Sequence, residues 1–130
     1  MYLVDTNIWL ERLLGQEQAE AVGRFLNSVA SSQLLITDFS FHSICVILIR
    51  ERRRSTLETF VKETLVDAGV QVVRLSPDET ALILLASDRF GLDFDDAYQY
   101  AAAEKLDLVL VSFDKDFDRT ERGRILPSDV

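Results

Sequence analysis

Four short apolar runs, Tyr2 to Asp5, Leu34 to Thr37, Val70 to Leu75 and Leu108 to Val111, recur along the chain with helix-period segments between them. Runs this brief and this continuously apolar suit strands buried on both faces. Strands separated by helices run parallel, because each crossover helix carries the chain back to the edge from which the next strand starts. The pattern predicts an α/β fold: one three-layer α/β/α domain over residues 1–130 with a central, mainly parallel sheet. Ligands in such sheets sit beyond the carboxyl ends of the strands. The polar residues directly after each run are therefore the ones that bear on function.

The intervening helices carry their own signals. Ile8, Trp9, Leu13 and Leu14 follow helical spacing up to Gly15, and Ala21, Val22, Phe25, Leu26 and Val29 mark one face of a helix over Gln18 to Ser31. From about Phe39 to Arg53 the sequence is apolar on nearly all sides. Such a helix is expected to bury more than one face, with any exposed remainder serving self-association or a partner. Ser55 to Glu58 has the spacing of a capping box opening a helix that stops near Gly69, and Ser76-Pro77-Asp78-Glu79 repeats it ahead of a helix through Leu82, Leu85 and Ala86 to Gly91. A further helix spans about Asp95 to Lys105 with Ala97, Tyr98, Ala101 and Ala102 inward, and Arg124 to Leu126 suits an edge strand.

Charge narrows the partners. The chain has 14 basic and 22 acidic side chains and a formal charge of −8, so its surface as a whole offers no attraction to nucleic acid or anionic membrane. Any nucleic-acid chemistry must be local. The start of the sequence lacks the pattern of a secretory signal, and the greasiest run, Ile44 to Ile49, is six residues, far short of a membrane span. Cys45 is the single cysteine, so no intramolecular disulfide is possible, and a cytoplasmic setting is expected.

The acidic excess is concentrated. Between Asp93 and Asp118 there are 8 acidic side chains against 2 basic ones. Asp5 follows the first apolar run, Thr37 and Asp38 the second, Ser112 and Asp114 the fourth, while Asp93, Asp95 and Asp96 stand at a helix start. Carboxylates brought together at one sheet edge repel unless a cation neutralises them, and an all-oxygen donor set favours Mg²⁺ or Mn²⁺. Two such ions roughly 4 Å apart can activate a water and stabilise the leaving oxygen of a phosphodiester.

These motifs resemble the PIN domain family, and in particular its VapC-like ribonuclease toxins, over essentially the whole chain. The resemblance rests on Asp5-Thr6-Asn7-Ile8-Trp9-Leu10, on Asp96-Ala97-Tyr98-Gln99-Tyr100-Ala101-Ala102-Ala103, and on Val111-Ser112-Phe113-Asp114-Lys115-Asp116-Phe117. It implies that Asp5, Asp96 and Asp114 are catalytic and ligate Mg²⁺ or Mn²⁺, that Thr6, Asn7 and Ser112 support that shell, and that RNA is cut by hydrolysis. It also implies an antitoxin protein and a second copy of the chain as partners.

One residue departs from the family pattern. Where the helix after the second strand normally supplies a glutamate, alignment on Leu34 to Thr37 puts Ser43. A serine cannot supply the charge, although it can hydrogen-bond a metal-bound water. Asp38 and His42 are the nearest groups able to compensate, but Asp38 is five residues away, about 140° around a helix. Asp93 and Asp116 are further candidates for a supporting role, although Asp93 and Asp95 also suit helix caps and Asp116 and Asp118 a surface turn. Arg50, Arg52, Arg53 and Arg54 form the one basic cluster and offer RNA-backbone contacts, or simply complement a helix C-terminus.

Two rival readings remain at this level. A catalytically weakened PIN-like module that binds RNA or protein is favoured by Ser43. A receiver-like phosphoacceptor domain shares the length and alternation, but it needs a second acid beside Asp5 and an acceptor Asp after the middle strand, where this chain has Thr6-Asn7 and Ser76-Pro77.

Overall fold

The computed structural model describes residues 1–130. Four strands, β1 (Tyr2–Val4), β2 (Leu34–Thr37), β3 (Gln71–Val73) and β4 (Val109–Val111), form one parallel sheet in the order β3-β2-β1-β4. Tyr2 and Leu3 pair with Leu34 and Leu35 on one side, and Tyr2 to Val4 with Val109 to Val111 on the other. The C-terminal segment adds a single parallel bridge, Val111 to Ile125, so the expected edge strand is reduced to one residue pair.

Six α-helices cover the sheet: α1 (Thr6–Leu13), α2 (Ala19–Ser28), α3 (Asp38–Arg50), α4 (Arg54–Phe60), α5 (Thr80–Phe90) and α6 (Phe94–Leu106). The side-chain period of two along each strand divides the core between the two faces. Leu3, Leu35 and Leu110 point toward α5 and α6, packing with Ile83, Ala97 and Tyr100. Val4, Ile36 and Val111 point the other way, onto Ile8, Trp9, Phe25, Ile44 and Leu48 of α1, α2 and α3. No helix is long and apolar enough to cross a membrane.

Two expectations, the burial of α3 and the Ser55 cap, are corrected. Helix α3 buries only Ser40, Ile44 and Leu48, one stripe four residues apart, and leaves Val46 and Ile49 exposed at 54% and 64%. It packs on β2 and β3 and between α1 and α4. On α5 the inward pair is Ile83 and Ala86, while Leu82 and Leu85 are exposed. Ser55 does not cap α4: Arg52 takes a left-handed turn (φ 58°), and the Arg53 carbonyl already accepts the Leu57 N–H at 3.1 Å, so the helix restarts ahead of Ser55. The chain continues from α4 as a π-helical segment, Val61–Asp67. The second capping box does form, with Ser76 and Glu79 bonded reciprocally around Pro77. Gly91, at φ 65°, ends α5 in the left-handed conformation that a side chain would strain.

Candidate active site

Because all four strands are parallel, their carboxyl ends lie on one edge, and the turns that follow them carry the polar residues named from the sequence. Asp5 comes directly after β1. Its backbone N–H still pairs with the Val111 carbonyl at 3.0 Å, while its extended backbone and its side chain, accepting the Thr6 N–H at 2.8 Å, cap α1. Capping and a place at the sheet edge are thus met by one residue.

The Asp5 carboxylate is buried, 6% exposed, and held by three donors. Oδ1 accepts from Thr6 N–H and from Gln99 Nε2 at 2.9 Å, and Oδ2 accepts from Ser112 Oγ at 2.7 Å. The direction of the last bond follows from counting hydrogens. Ser112 Oγ already receives Asn7 Nδ2 at 3.3 Å and the Asp114 N–H at 3.0 Å, so its one proton is left for Asp5. Asn7 is itself oriented by the Phe113 N–H, which donates to its Oδ1. Burial pushes the Asp5 pKa up; the Ser112, Gln99 and Thr6 bonds oppose the rise, and the Asp114 charge adds to it. Three donors on a group with about four acceptor positions leave roughly one free.

Gln99 is the functional candidate that sequence reasoning passed over. It is 2% exposed in the middle of α6, and its amide is oriented by Thr37 Oγ1, which donates to Oε1 at 2.7 Å. Nε2 is thereby turned toward Asp5 and toward Ser40 Oγ, 2.9 Å away, and Thr6 Oγ1 bonds the same Ser40 oxygen at 2.7 Å. The turn between β1 and α1, strand β2 and helices α3 and α6 meet through this one amide. The available signal was a glutamine within the otherwise apolar inward face of Ala97 to Ala103, where a buried polar side chain requires partners.

Asp96 sits in the first turn of α6, where the helix dipole favours negative charge. Its carboxylate and those of Asp114 and Asp116 each offer an oxygen, and these three oxygens lie within 4.8 Å of one another. The crowding acts on Asp96: burial, then the charge of and bond to Asp114, then Asp5 and Asp116, push its pKa up to about 7. The Asp114 side chain accepts the Asp116 N–H at 2.8 Å, which starts the short 3₁₀ turn Lys115–Arg119. Asp116, expected at a surface turn, therefore joins the carboxylate group while its other neighbour is Arg119 at 3.4 Å.

Asp5, Thr6, Asn7, Ser43, Asp95, Asp96, Gln99 and Asp114 line one pocket of about 270 Å³, closed on one side by Leu10, Phe39 and Ile47. A larger groove of about 610 Å³ lies between α1, α2 and α4, but Glu63 is its one acidic residue, so the chemistry favours the smaller site. The carboxylate donors suit a hard divalent cation, and with their protons lost they leave unneutralised charge for it to offset.

Other named residues fall outside this pocket. Asp38 turns toward β3, where Tyr98 donates to its Oδ1 at 2.6 Å and accepts the Leu75 N–H at 2.9 Å; burial and the Asp38 bond hold the phenol up at about 12. His42 is exposed beside Phe41. Asp93 occupies the N-cap position of α6 through its backbone, with no side-chain cap bond. Arg50, Arg52, Arg53 and Arg54 are exposed at the far end of α3, about 18 Å along the helix from Asp38.

The PIN domain family model matches residues 2–123. Among solved structures, a toxin-antitoxin complex from Klebsiella pneumoniae superposes with a TM-score of 0.78 at 19% identity, covering 98% of each chain. VapC20 of Mycobacterium tuberculosis, described as a sarcin-ricin loop cleaving toxin, gives 0.79 at 19% identity over 98% of this chain and 100% of that one. FitAcB from Neisseria gonorrhoeae gives 0.79 at 18% identity over 100% of both. No curated protein matches the sequence.

Proposed function

The chain belongs to the PIN domain family, and on that premise we propose that it is a Mg²⁺- or Mn²⁺-dependent endoribonuclease, the toxin of a toxin-antitoxin pair. The observation that carries the proposal is the carboxylate group itself: Asp96, Asp114 and Asp116 within 4.8 Å, beside a buried Asp5 whose donors hold it in one orientation. Like charges are costly to assemble, and their cost is recovered when a cation binds between them.

In this reading residues 1–130 act as one nuclease domain, and Asp5, Asp96 and Asp114 are the catalytic metal ligands. A bound divalent ion supplies Lewis acidity toward a phosphodiester oxygen and lowers the pKa of water. The chain's own contribution is orientation. Ser112 and Gln99 fix the Asp5 oxygens, Asn7 fixes Ser112 against Phe113, and the 3₁₀ turn fixes Asp114 against Asp116. Burial and the neighbouring carboxylates hold the Asp96 pKa up at about 7, and a cation held there would favour its charged form. RNA is the substrate, an antitoxin and a second copy of the chain are the protein partners, and the setting is cytoplasmic. The neighbours from toxin-antitoxin systems support the antitoxin assignment.

A second reading, a weakened PIN module that binds RNA or protein, is favoured by Ser43, which lines the pocket where a further acid would be expected. RNA cleavage by the wild-type chain with Mn²⁺ present, abolished in Asp5→Asn and Asp96→Asn, is the outcome expected of the enzyme. Binding of RNA with no cleavage under any Mg²⁺ or Mn²⁺ concentration selects the second reading.

A further inference from the structure

Phe94 is the one aromatic residue among the large apolar side chains left exposed, at 54%. It opens α6, next to Asp95, which lines the carboxylate pocket. The ring is backed by Phe39, at 5.8 Å between centroids and 62°, and by Tyr98, at 6.0 Å and 44°. Phe39 in turn lines the pocket. The ring is thus supported from behind and open in front.

A cation stands on the same edge. Arg74 follows β3 directly, is exposed, and makes neither an ion pair nor a side-chain hydrogen bond. Asp5 lies at the end of β1, two strands along, about 10 Å at ordinary strand spacing. In a chain of net charge −8, a free arginine at the edge that carries the acids is a local exception.

We propose that Phe94 and Arg74 extend the carboxylate pocket into a seat for single-stranded RNA, a base beside the cut stacking on the Phe94 ring and Arg74 taking a phosphate farther along the strand. The proposal rests on the nuclease reading above and names how its substrate is held. Stacking is available to any unpaired base, whereas a base within a duplex has both faces covered. A protein covering Phe94 would have to desolvate the exposed carboxylates of Asp93 and Asp95 on either side of it, but a stacked base leaves them in water. Because those same carboxylates repel a strand's phosphates, the unpaired cation of Arg74 supplies the electrostatic part of the contact.

The test uses the full chain and a labelled single-stranded RNA of about 12 nucleotides, with binding followed by fluorescence anisotropy in EDTA so that no strand is cut. Phe94→Ala should weaken binding about tenfold, and Phe94→Trp should retain it. An abasic strand of the same backbone should bind Phe94→Ala and wild type alike. Arg74→Gln should weaken both strands and reduce the slope of log affinity against log salt by about one. Equal binding of the normal strand by wild type and Phe94→Ala, or no binding by the wild type, overturns the proposal. So does a Phe94→Ala chain that changes oligomeric state with RNA binding unaltered, since the ring then covers a protein contact. A wild-type chain that cuts RNA with Mn²⁺ while Phe94→Ala loses nothing refutes this seat alone, whereas a wild type that binds the strand but never cuts refutes the nuclease reading alone.

Discussion

Replacing Asp96 with Asn should make the cation-free protein more stable at neutral pH, an unusual direction for a substitution within a site. The amide keeps the shape and removes the charge. In the folded chain the Asp96 pKa is up at about 7, against an ordinary value of 3.8. The folded state therefore holds more protons than the unfolded state between about pH 4 and pH 7, and wild-type stability falls as pH rises through that window. At 1.36 kcal/mol per pK unit the full difference is about 4 kcal/mol, and because the pocket opens to solvent about half of it, roughly 2 kcal/mol, is the sounder expectation. For a chain of this size that corresponds to a Tm difference of about 8 °C. Denaturant or thermal unfolding in EDTA at pH 4.5 and pH 8, expressed as the difference between Asp96→Asn and wild type, removes the contribution of carboxylates that do not interact with Asp96. The difference should be near zero at the lower pH and favour the variant at the higher one. Adding Mn²⁺ at pH 8 should raise the wild-type Tm and leave that of the variant nearly unchanged. Parallel pH profiles for the two proteins would refute the argument, because the charge crowding assigned to Asp96 would then be absent.

Ser43→Glu should tighten Mn²⁺ binding measured by calorimetry and raise RNA cleavage; if both are unchanged while Asp38→Asn or His42→Ala ends cleavage, the alignment that puts Ser43 in the acid's place is wrong. Gln99→Met keeps the volume but removes donors from Asp5 and Ser40 and leaves the Thr37 hydroxyl without its acceptor, so urea unfolding should show a loss of about 2–3 kcal/mol, with weaker Mn²⁺ binding besides. Val46→Asp with Ile49→Asp places charge on the exposed face of α3, and should leave the chain folded while shifting light scattering from dimer to monomer; a wild type that is already monomeric removes this expectation.

Local chemistry made much of the fold legible. Leu34 to Ile36 is apolar without interruption and Thr37 ends the run, and β2 has those bounds; Ser76 and Glu79 satisfy each other within four residues, and that cap forms as written. Asp5 was marked by its place after an apolar run, a position the parallel sheet brings to the common edge. Where the outcome depended on a distant partner, the sequence could offer only alternatives. Asp38 and Asp116 are both acids near a strand end, yet Tyr98, 60 residues away, turns Asp38 out of the pocket, and the 3₁₀ turn after β4 brings Asp116 into the carboxylate group. Gln99 draws its meaning from Thr37, Ser40 and Asp5, separated from it by 62, 59 and 94 residues. The apolar residues of α5 were divided by which face α6 covers, Ile83 and Ala86 going to the core and Leu82, Leu84 and Leu85 to solvent, and the arginines after α3 were carried away from the acids by the length of that helix. Periodicity and capping act over a few residues and can be read along the chain, whereas the direction of a side chain at a shared edge is fixed by whichever hydrogen-bond partner the packed elements deliver to it.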